Sequence, residues 1–454
     1  MDLLKPLIRN FSYGFYLRRD GLNVKPHMAD LAKSQFLSTD EMTQMQFERL
    51  TSLFSSAYEN NDFYRNRFNS VGFAPNDFKN LSDLKKLPIL TKDDIRNTGA
   101  KLFSKGFNQD NSVHKRTGGS TGVPLHNYMD FRSASIKKAA AMRHDEWAGY
   151  RPGDYLAGVW GDTDKGLPFK EKMRNALMSR AIYLDTLKFD ESQIIPFLKN
   201  IRKYKPPVMM GHAHSIFRLA EYIRDNNIND IRFDGIITTA MVLNPEERVE
   251  IENEFKSPVF NRYGCEELSI ISSECDAHDG LHIFAEGLYV EVDSDNSSQP
   301  GCLIITDLLN RAMPIIRYEI GDYGIMLKGN CQCGRGLPRL KEITGRTADF
   351  LYTPNKRPVF GISILDTFVI HIPGFKQVQI VQDKYDHLDF NIIKDNSTFS
   401  DESLAKLKAN VIEIFGPDMK YDIHFVDRIK QTERGKYRFS ICNIEHDKNS
   451  TDKQ

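Results

Sequence analysis

The chain has 454 residues, more than one hydrophobic core usually serves, so two or more domains are expected. Its 61 Lys and Arg residues balance 61 Asp and Glu, which excludes a global field recruiting nucleic acid or an acidic membrane, and ligand recognition must be local. Six cysteines are too few and too unevenly spread for a secreted disulfide framework, and no apolar run or leader pattern suggests a transmembrane segment or signal peptide, so a cytoplasmic setting is expected.

In the first twenty residues Leu4, Ile8, Phe11 and Phe15 recur at helical spacing among Lys5, Arg9, Arg18 and Arg19. This predicts an amphipathic segment that packs on the body or on a second subunit, as in a homodimer, since one short stretch binds lipid weakly. Residues 1–75 read as mainly helical. Asp40 to Ser70 reads as one helix, with Met42, Met45, Phe47, Leu50, Leu53 and Phe54 on one face after the start signal Ser38-Thr39-Asp40-Glu41. Helices are expected to continue up to a glycine-rich loop, and Phe131 to Trp147 should form a long helix after it.

That loop, Arg116-Thr117-Gly118-Gly119-Ser120-Thr121-Gly122-Val123-Pro124, is built to wrap phosphate. Glycine lets backbone amides approach a ligand closely, and the Ser and Thr hydroxyls add neutral donors. It is not a Walker A loop, because no glycine follows at the required spacing before a Lys-Ser/Thr pair.

From about residue 191 the pattern alternates. A helix through Ile201, a run at Val208 to Met210, a helix at Ser215 to Asn226, a strand at Asp234 to Thr239, a helix at Pro245 to Phe255 and a strand at Val259 to Asn261 follow one another. Strand and helix in alternation predict a parallel sheet with covering helices, with ligands beyond the carboxyl ends of the strands, where Tyr263 to Glu267 falls. Leu288 to Val292, Cys302 to Thr306 and Tyr323 to Leu327 read as antiparallel strands of a distorted barrel. Beyond Arg346 a smaller α+β unit is expected, with strands near Lys376 to Gln382, Leu388 to Ile393 and Asp422 to Val426 and a helix at Asp401 to Phe415.

Five segments, Thr117 to Pro124, Tyr263-Gly264-Cys265-Glu266-Glu267, Arg317-Tyr318-Glu319-Ile320-Gly321-Asp322, Gly345-Arg346 and Gly435-Lys436, stand in the order found in adenylate-forming enzymes. Over nearly its whole length the chain resembles the phenylacetate-coenzyme A ligase family, and within it the CapK-like branch of capsular-polysaccharide biosynthesis. The resemblance implies an α/β fold: a large N-terminal adenylation domain (1–345) with parallel and mixed sheets, covering helices and a distorted β-barrel, and a small mobile α+β lid (346–454). It implies AMP-forming activation of a carboxylate by ATP and transfer of the acyl group to coenzyme A, an amine or a sugar. The alternative is a catalytically reduced nucleotide-binding or scaffold subunit of a polysaccharide-assembly system.

In the roles the resemblance implies, Thr117, Gly118, Gly119, Ser120, Thr121 and Gly122 hold the β- and γ-phosphates. Tyr263 and Gly264 flank adenine, Glu267 takes Mg²⁺, Asp322 takes both ribose hydroxyls, Arg346 contacts ribose or phosphate, and Lys436 is the catalytic lysine. Arg317 supports the strand or a phosphate. Three positions depart from the family: Leu125 where many members have lysine, Glu266 where Ser or Thr is usual, and Ala348 where the hinge acid stands. Glu266 either joins the metal or points outward. Tyr128, Trp160, His212, His214 and Thr239 are acyl-pocket candidates by position alone.

Cys331-x-Cys333-Gly334 makes a tight knuckle for two thiolates on one metal. With Cys275 and His282 it completes a candidate structural Zn²⁺ set, with His278 the competing fourth ligand.

Overall fold

The computed structural model describes residues 4–116, 125–160, 169–186, 189–241, 243, 245–294, 300–344, 351–359, 368, 372–395, 398–429 and 440–444. The amino-terminal segment is helical, but a π-helical stretch at Ile8–Ser12 separates Leu4–Leu7 from Tyr13–Arg19 and shifts the helical phase. Ile8 and Leu17 therefore turn inward while Leu4, Phe11 and Phe15 are exposed, so the four apolar positions do not share one face. Lys5 and Arg9 hold the segment to the body through the buried carboxylate of Asp154.

The helix expected from Asp40 to Ser70 is two helices, Thr39–Asn60 and Asp62–Asn69. Its start is as expected: Ser38 Oγ accepts from the Glu41 amide and the Glu41 carboxylate accepts from the Ser38 amide. The break is Asn61, whose extended backbone ends the first helix while its Oδ1 accepts from the Tyr64 amide over 3.2 Å and caps the second. Its Nδ2 donates to Leu102 O at 2.8 Å, so the cap is fixed from both sides.

A strand that the sequence did not suggest precedes the glycine loop. β1 (Val113–Arg116) and β2 (His126–Met129) pair antiparallel as the two legs of a hairpin, and the loop itself, residues 117–124, lies outside the described residues. The Phe131–Trp147 helix follows β2 as expected, capped by Asp130 Oδ1, which accepts from the Ser133 amide.

The central sheet comprises β3 (Leu156–Trp160), β4 (Ala181–Asp185), β5 (Val208–His212), β6 (Gly235–Thr239), β7 (Val259–Cys265), β8 (Ser269–Glu274), β9 (Leu281–Ile283), β10 (Leu288–Asp293), β11 (Gly301–Asp307), β12 (Tyr318–Leu327) and β13 (Arg339–Thr344). Their order is β10-β11-β12-β13-β9-β8-β7-β6-β5-β3-β4. Strands β4, β3, β5, β6 and the first half of β7 are parallel, as the alternating pattern requires. Helices Glu191–Tyr204, Ala213–Asp225 and Pro245–Phe255 pack Ile194, Phe197, Ile216, Leu219, Ile251 and Phe255 on Ala157, Val159, Met209 and Ile236. Beyond Asn261 the same strand β7 pairs antiparallel with β8, and the remaining strands continue the sheet antiparallel. The sheet thus changes character at the segment that carries Tyr263.

The small unit begins with a short hairpin of β14 (Leu351–Tyr352) and β15 (Pro358–Val359). A second sheet follows, of β16 (Phe375–Lys384), β17 (His387–Lys394), β18 (Lys420–Phe425) and β19 (Ser440–Cys442) in the order β18-β17-β16-β19. The Asp401–Phe415 helix buries Leu407, Val411 and Phe415 against Val378, Ile380 and Phe390, giving this unit its own core.

Candidate functional site

The site grows from the end of β7. Tyr263 lies within that strand, and its hydroxyl donates to Asp322 Oδ2 on β12 over 2.8 Å. Gly264 follows because the return into β8 is tight: a Cβ there would lie 2.6 Å from Ser269 O. Glu266 and Glu267 occupy the turn between β7 and β8, with opposite fates. Glu266 is exposed, whereas Glu267 is 5% exposed and accepts from the Tyr318 hydroxyl at 3.2 Å. Cys265 stands between, and burial together with the neighbouring Glu267 and Asp322 carboxylates pushes its thiol well above the usual range.

The hairpin that carries the glycine loop docks on this turn. Lys115 and Asn127 face one another in the β1–β2 register. Lys115 Nζ lies 3.8 Å from Glu266 Oε2, and Asn127 Nδ2 donates to Glu267 O at 2.9 Å. Both ends of the loop are thereby anchored beside the two acids. On the other face of the hairpin His114 stacks between His126 and Tyr128, with ring centroids 5.1 and 4.8 Å apart. Leu125, at the loop's exit, is buried in the core.

Of the sequence-expected nucleotide residues, Tyr263, Gly264, Glu266, Glu267 and Asp322 come together. Thr117, Gly118, Gly119, Ser120, Thr121, Gly122, Arg346 and Lys436 lie outside the described residues, as does Ala348. Tyr318, Lys115 and Asn127 were not singled out by sequence reasoning. Tyr318 sits inside the Arg317–Asp322 motif and was available there; the other two needed the hairpin register.

Arg317 supports the strand. Its guanidinium grips both oxygens of Glu291 at 3.1 and 3.2 Å and donates to the carbonyls of Lys85 and Leu87, so its donors are engaged within the protein. Its backbone is left-handed (φ 52°), and its carbonyl accepts from Leu90.

The cysteine set is assembled as expected. The ligand atoms of Cys275, His282, Cys331 and Cys333 lie within 4.8 Å of one another. Tetrahedral thiolates 2.3 Å from one zinc stand about 3.8 Å apart, and Cys275 Sγ to Cys331 Sγ is 3.7 Å. His282 Nδ1 is 3.2 Å from Leu337 O, the partner that fixes its proton and turns Nε2, 3.3 Å from Cys333 Sγ, toward the thiols. Burial holds this imidazole neutral, pushed down to about 4. His278 is elsewhere, beside Glu274 and against the Phe260 ring.

The acyl-pocket candidates divide. Trp160 and His212 meet edge to face at 4.9 Å at the carboxyl ends of β3 and β5, and Thr239 lies opposite His212 in the β5–β6 register. Burial alone pushes His212 down to about 4, and its Nδ1 has no hydrogen-bond partner among the described residues. His214 is held by Glu247, and Tyr128 belongs to the hairpin stack.

Residues 351–443 match the family described as the CapK C-terminal domain. The chain is 26% identical to Protein CapK of Staphylococcus aureus, over 89% of this chain and 90% of that protein. It is also 26% identical to the phenylacetate-coenzyme A ligase of Escherichia coli, over 69% and 73% respectively. Among solved structures it superposes on 2-hydroxyisobutyryl-CoA ligase in complex with 2-HIB-AMP and CoA, with a TM-score of 0.59 and 20% identity over 89% of this chain and 90% of that one, a likeness of fold.

Proposed function

We propose that this chain, a relative of CapK and of the phenylacetate-coenzyme A ligases, is an AMP-forming ligase that activates a carboxylate with ATP. The observation that carries the reading is the meeting of the loop-bearing hairpin, the β7–β8 turn and β12 around Glu267 and Asp322. A carboxylate oxygen of the substrate attacks the α-phosphorus, pyrophosphate leaves, and an acyl-AMP forms. An acceptor thiol, amine or hydroxyl then attacks the acyl carbon and AMP departs.

Asp322, oriented by the Tyr263 hydroxyl, accepts from the ribose hydroxyls, and Tyr263 lines the adenine side. Thr117 to Gly122 cradle the departing phosphates, and Arg346 and Lys436 come from the small domain, with the boundary at 345/346. Lys436 acts by neutralising charge that develops in the transition state. Glu267 is the acid that would hold Mg²⁺, a hard cation suited to one or two carboxylates and phosphate oxygens, which when bound offsets the triphosphate charge. Glu266, paired with Lys115, flanks it. Cys275, His282, Cys331 and Cys333 would hold a structural Zn²⁺ that ties β9 to the knuckle before β13. No described helix is long and apolar enough to cross a membrane. A cytoplasmic enzyme serving capsule or polysaccharide assembly fits the likeness to CapK.

One observation favours the rival, a nucleotide-binding scaffold: Leu125 is 2% exposed, so the position where many relatives have lysine supplies core here and no charge. Mass spectrometry of products from a carboxylate panel, with and without coenzyme A, separates the two. AMP and an acyl product support the ligase; ATP binding without AMP across the panel supports the scaffold, and ADP would overturn both.

A further inference from the structure

We propose that a cavity lined by none of the residues assigned to ATP binds a phosphate or pyrophosphate group. The cavity encloses about 230 Å³ and is lined by Arg49, Arg132 and Arg311 with Glu48, Ser52, Leu308 and Leu309. The arginines come from three places in the chain: the Thr39–Asn60 helix, the first turn of the Phe131–Trp147 helix and the turn after β11.

The nearest carboxylates are engaged elsewhere: Glu286 binds Arg143, Asp307 binds Lys137, and Asp130 accepts from the Ser133 and Arg311 amides. Arg49 donates to Glu286 O and Arg311 to Leu308 O, both backbone carbonyls, and the Arg311 amide donates to Asp130 Oδ2. Among the described residues no carboxylate forms an ion pair with any of the three guanidinium groups, and the Arg132 side chain makes no hydrogen bond. The one carboxylate of the lining, Glu48, accepts from Gln44 on its own helix. Elsewhere this chain pairs buried cations with carboxylates, as in Arg143–Glu286 and Lys137–Asp307.

Three like charges held around a part-buried hollow repel one another, which shows on the groups themselves. Burial lowers Arg49 and Arg311 below the usual arginine range, against the opposing pull of Glu286 on Arg49 and of Asp307 and Asp130 on Arg311, and Arg132 lowers each further. His27 feels the same charge from Arg132. Such an arrangement costs stability unless an anion fills it, and the planar guanidinium fork matches phosphate oxygens.

The test is titration of the full chain with inorganic pyrophosphate, in wild type and in Arg132→Ser. Arg132 is exposed and unpartnered, so the variant keeps its fold, which circular dichroism checks. Arg132 is not among the residues assigned to ATP, so the difference between the two proteins isolates this site. We expect roughly tenfold weaker binding in R132S, partial recovery in R132K, and a steep salt dependence lost with the arginine. A parallel titration with coenzyme A and its 3′-dephospho form identifies the source: a preference for coenzyme A that R132S abolishes assigns the site to a cosubstrate phosphate. Pyrophosphate binding that R132S weakens without such a preference assigns it to a separate phosphorylated ligand. Equal pyrophosphate affinity in wild type, R132S and the double variant R132S/R311S overturns the site, whatever becomes of the ligase reading.

Discussion

The Tyr263 hydroxyl and the Asp322 carboxylate, 59 residues apart in the chain, share a 2.8 Å hydrogen bond. It fixes one oxygen of the carboxylate and so orients the other, which is the preorganisation a bidentate ribose acceptor needs. Asp322→Asn should raise the KM for ATP by about 10- to 100-fold, the worth of hydrogen bonds to a charged group, with a smaller loss in kcat. Tyr263→Phe should cost a few-fold in the same direction. Steady-state kinetics in ATP reads both, and an unchanged KM in D322N removes the ribose assignment.

Arg317 and Glu291 form a largely buried bidentate pair, and loss of one partner leaves one charge behind. Arg317→Ala should destabilise the protein by about 3–5 kcal/mol, whereas the KM for ATP of the folded fraction stays near wild type. Denaturant unfolding beside ATP kinetics checks this. A stable R317A protein with impaired nucleotide binding would assign the residue to phosphate after all.

The four-residue thiol and imidazole cluster predicts one tightly held zinc per chain. Elemental analysis of the purified protein should find it, and Cys331→Ser should lose it together with several degrees in Tm, because a structural site contributes folding energy. Prolonged chelation should lower the Tm of wild type and leave that of C331S unmoved. Metal-free wild type of full stability would make the four residues ordinary reduced side chains.

His212 is buried and neutral, with its folded pKa pushed below the unfolded value. A histidine shifted down contributes stability that is fully present above about pH 6.5 and is lost as pH falls toward 4. At pH 4.5 the loss from this one group is about 2–3 kcal/mol. His212→Asn should therefore show a smaller drop in unfolding free energy between pH 7 and 4.5 than wild type does. Identical drops would mean that the imidazole charges freely in the folded state.

The elements legible in the sequence were those with both period and punctuation. Asp401–Phe415, Phe131–Trp147 and Pro245–Phe255 fall where apolar spacing and caps put them. Asn61 was read through because an asparagine inside a long apolar pattern looks like a tolerated polar position; only its extended backbone reveals the cap. β4 was missed beside the alternating region, and β19, with three residues, carries no usable period. At the site, Tyr263, Glu267 and Asp322 were reachable through motif order. Lys115 and Asn127 were not, since their meeting with the two acids depends on hairpin register. His282 was separated from His278 by pairing: His282 lies opposite Arg339 in β13, while His278 sits in a turn with φ 50°.

Exchange of labelled pyrophosphate into ATP tests the ligase account most directly. With the correct carboxylate present, wild type should catalyse exchange and Lys436→Ala should lose it by several orders of magnitude, while its circular dichroism and Tm stay unchanged. Exchange at the wild-type rate in K436A, or ATP bound but never exchanged across a broad carboxylate panel, would contradict the account.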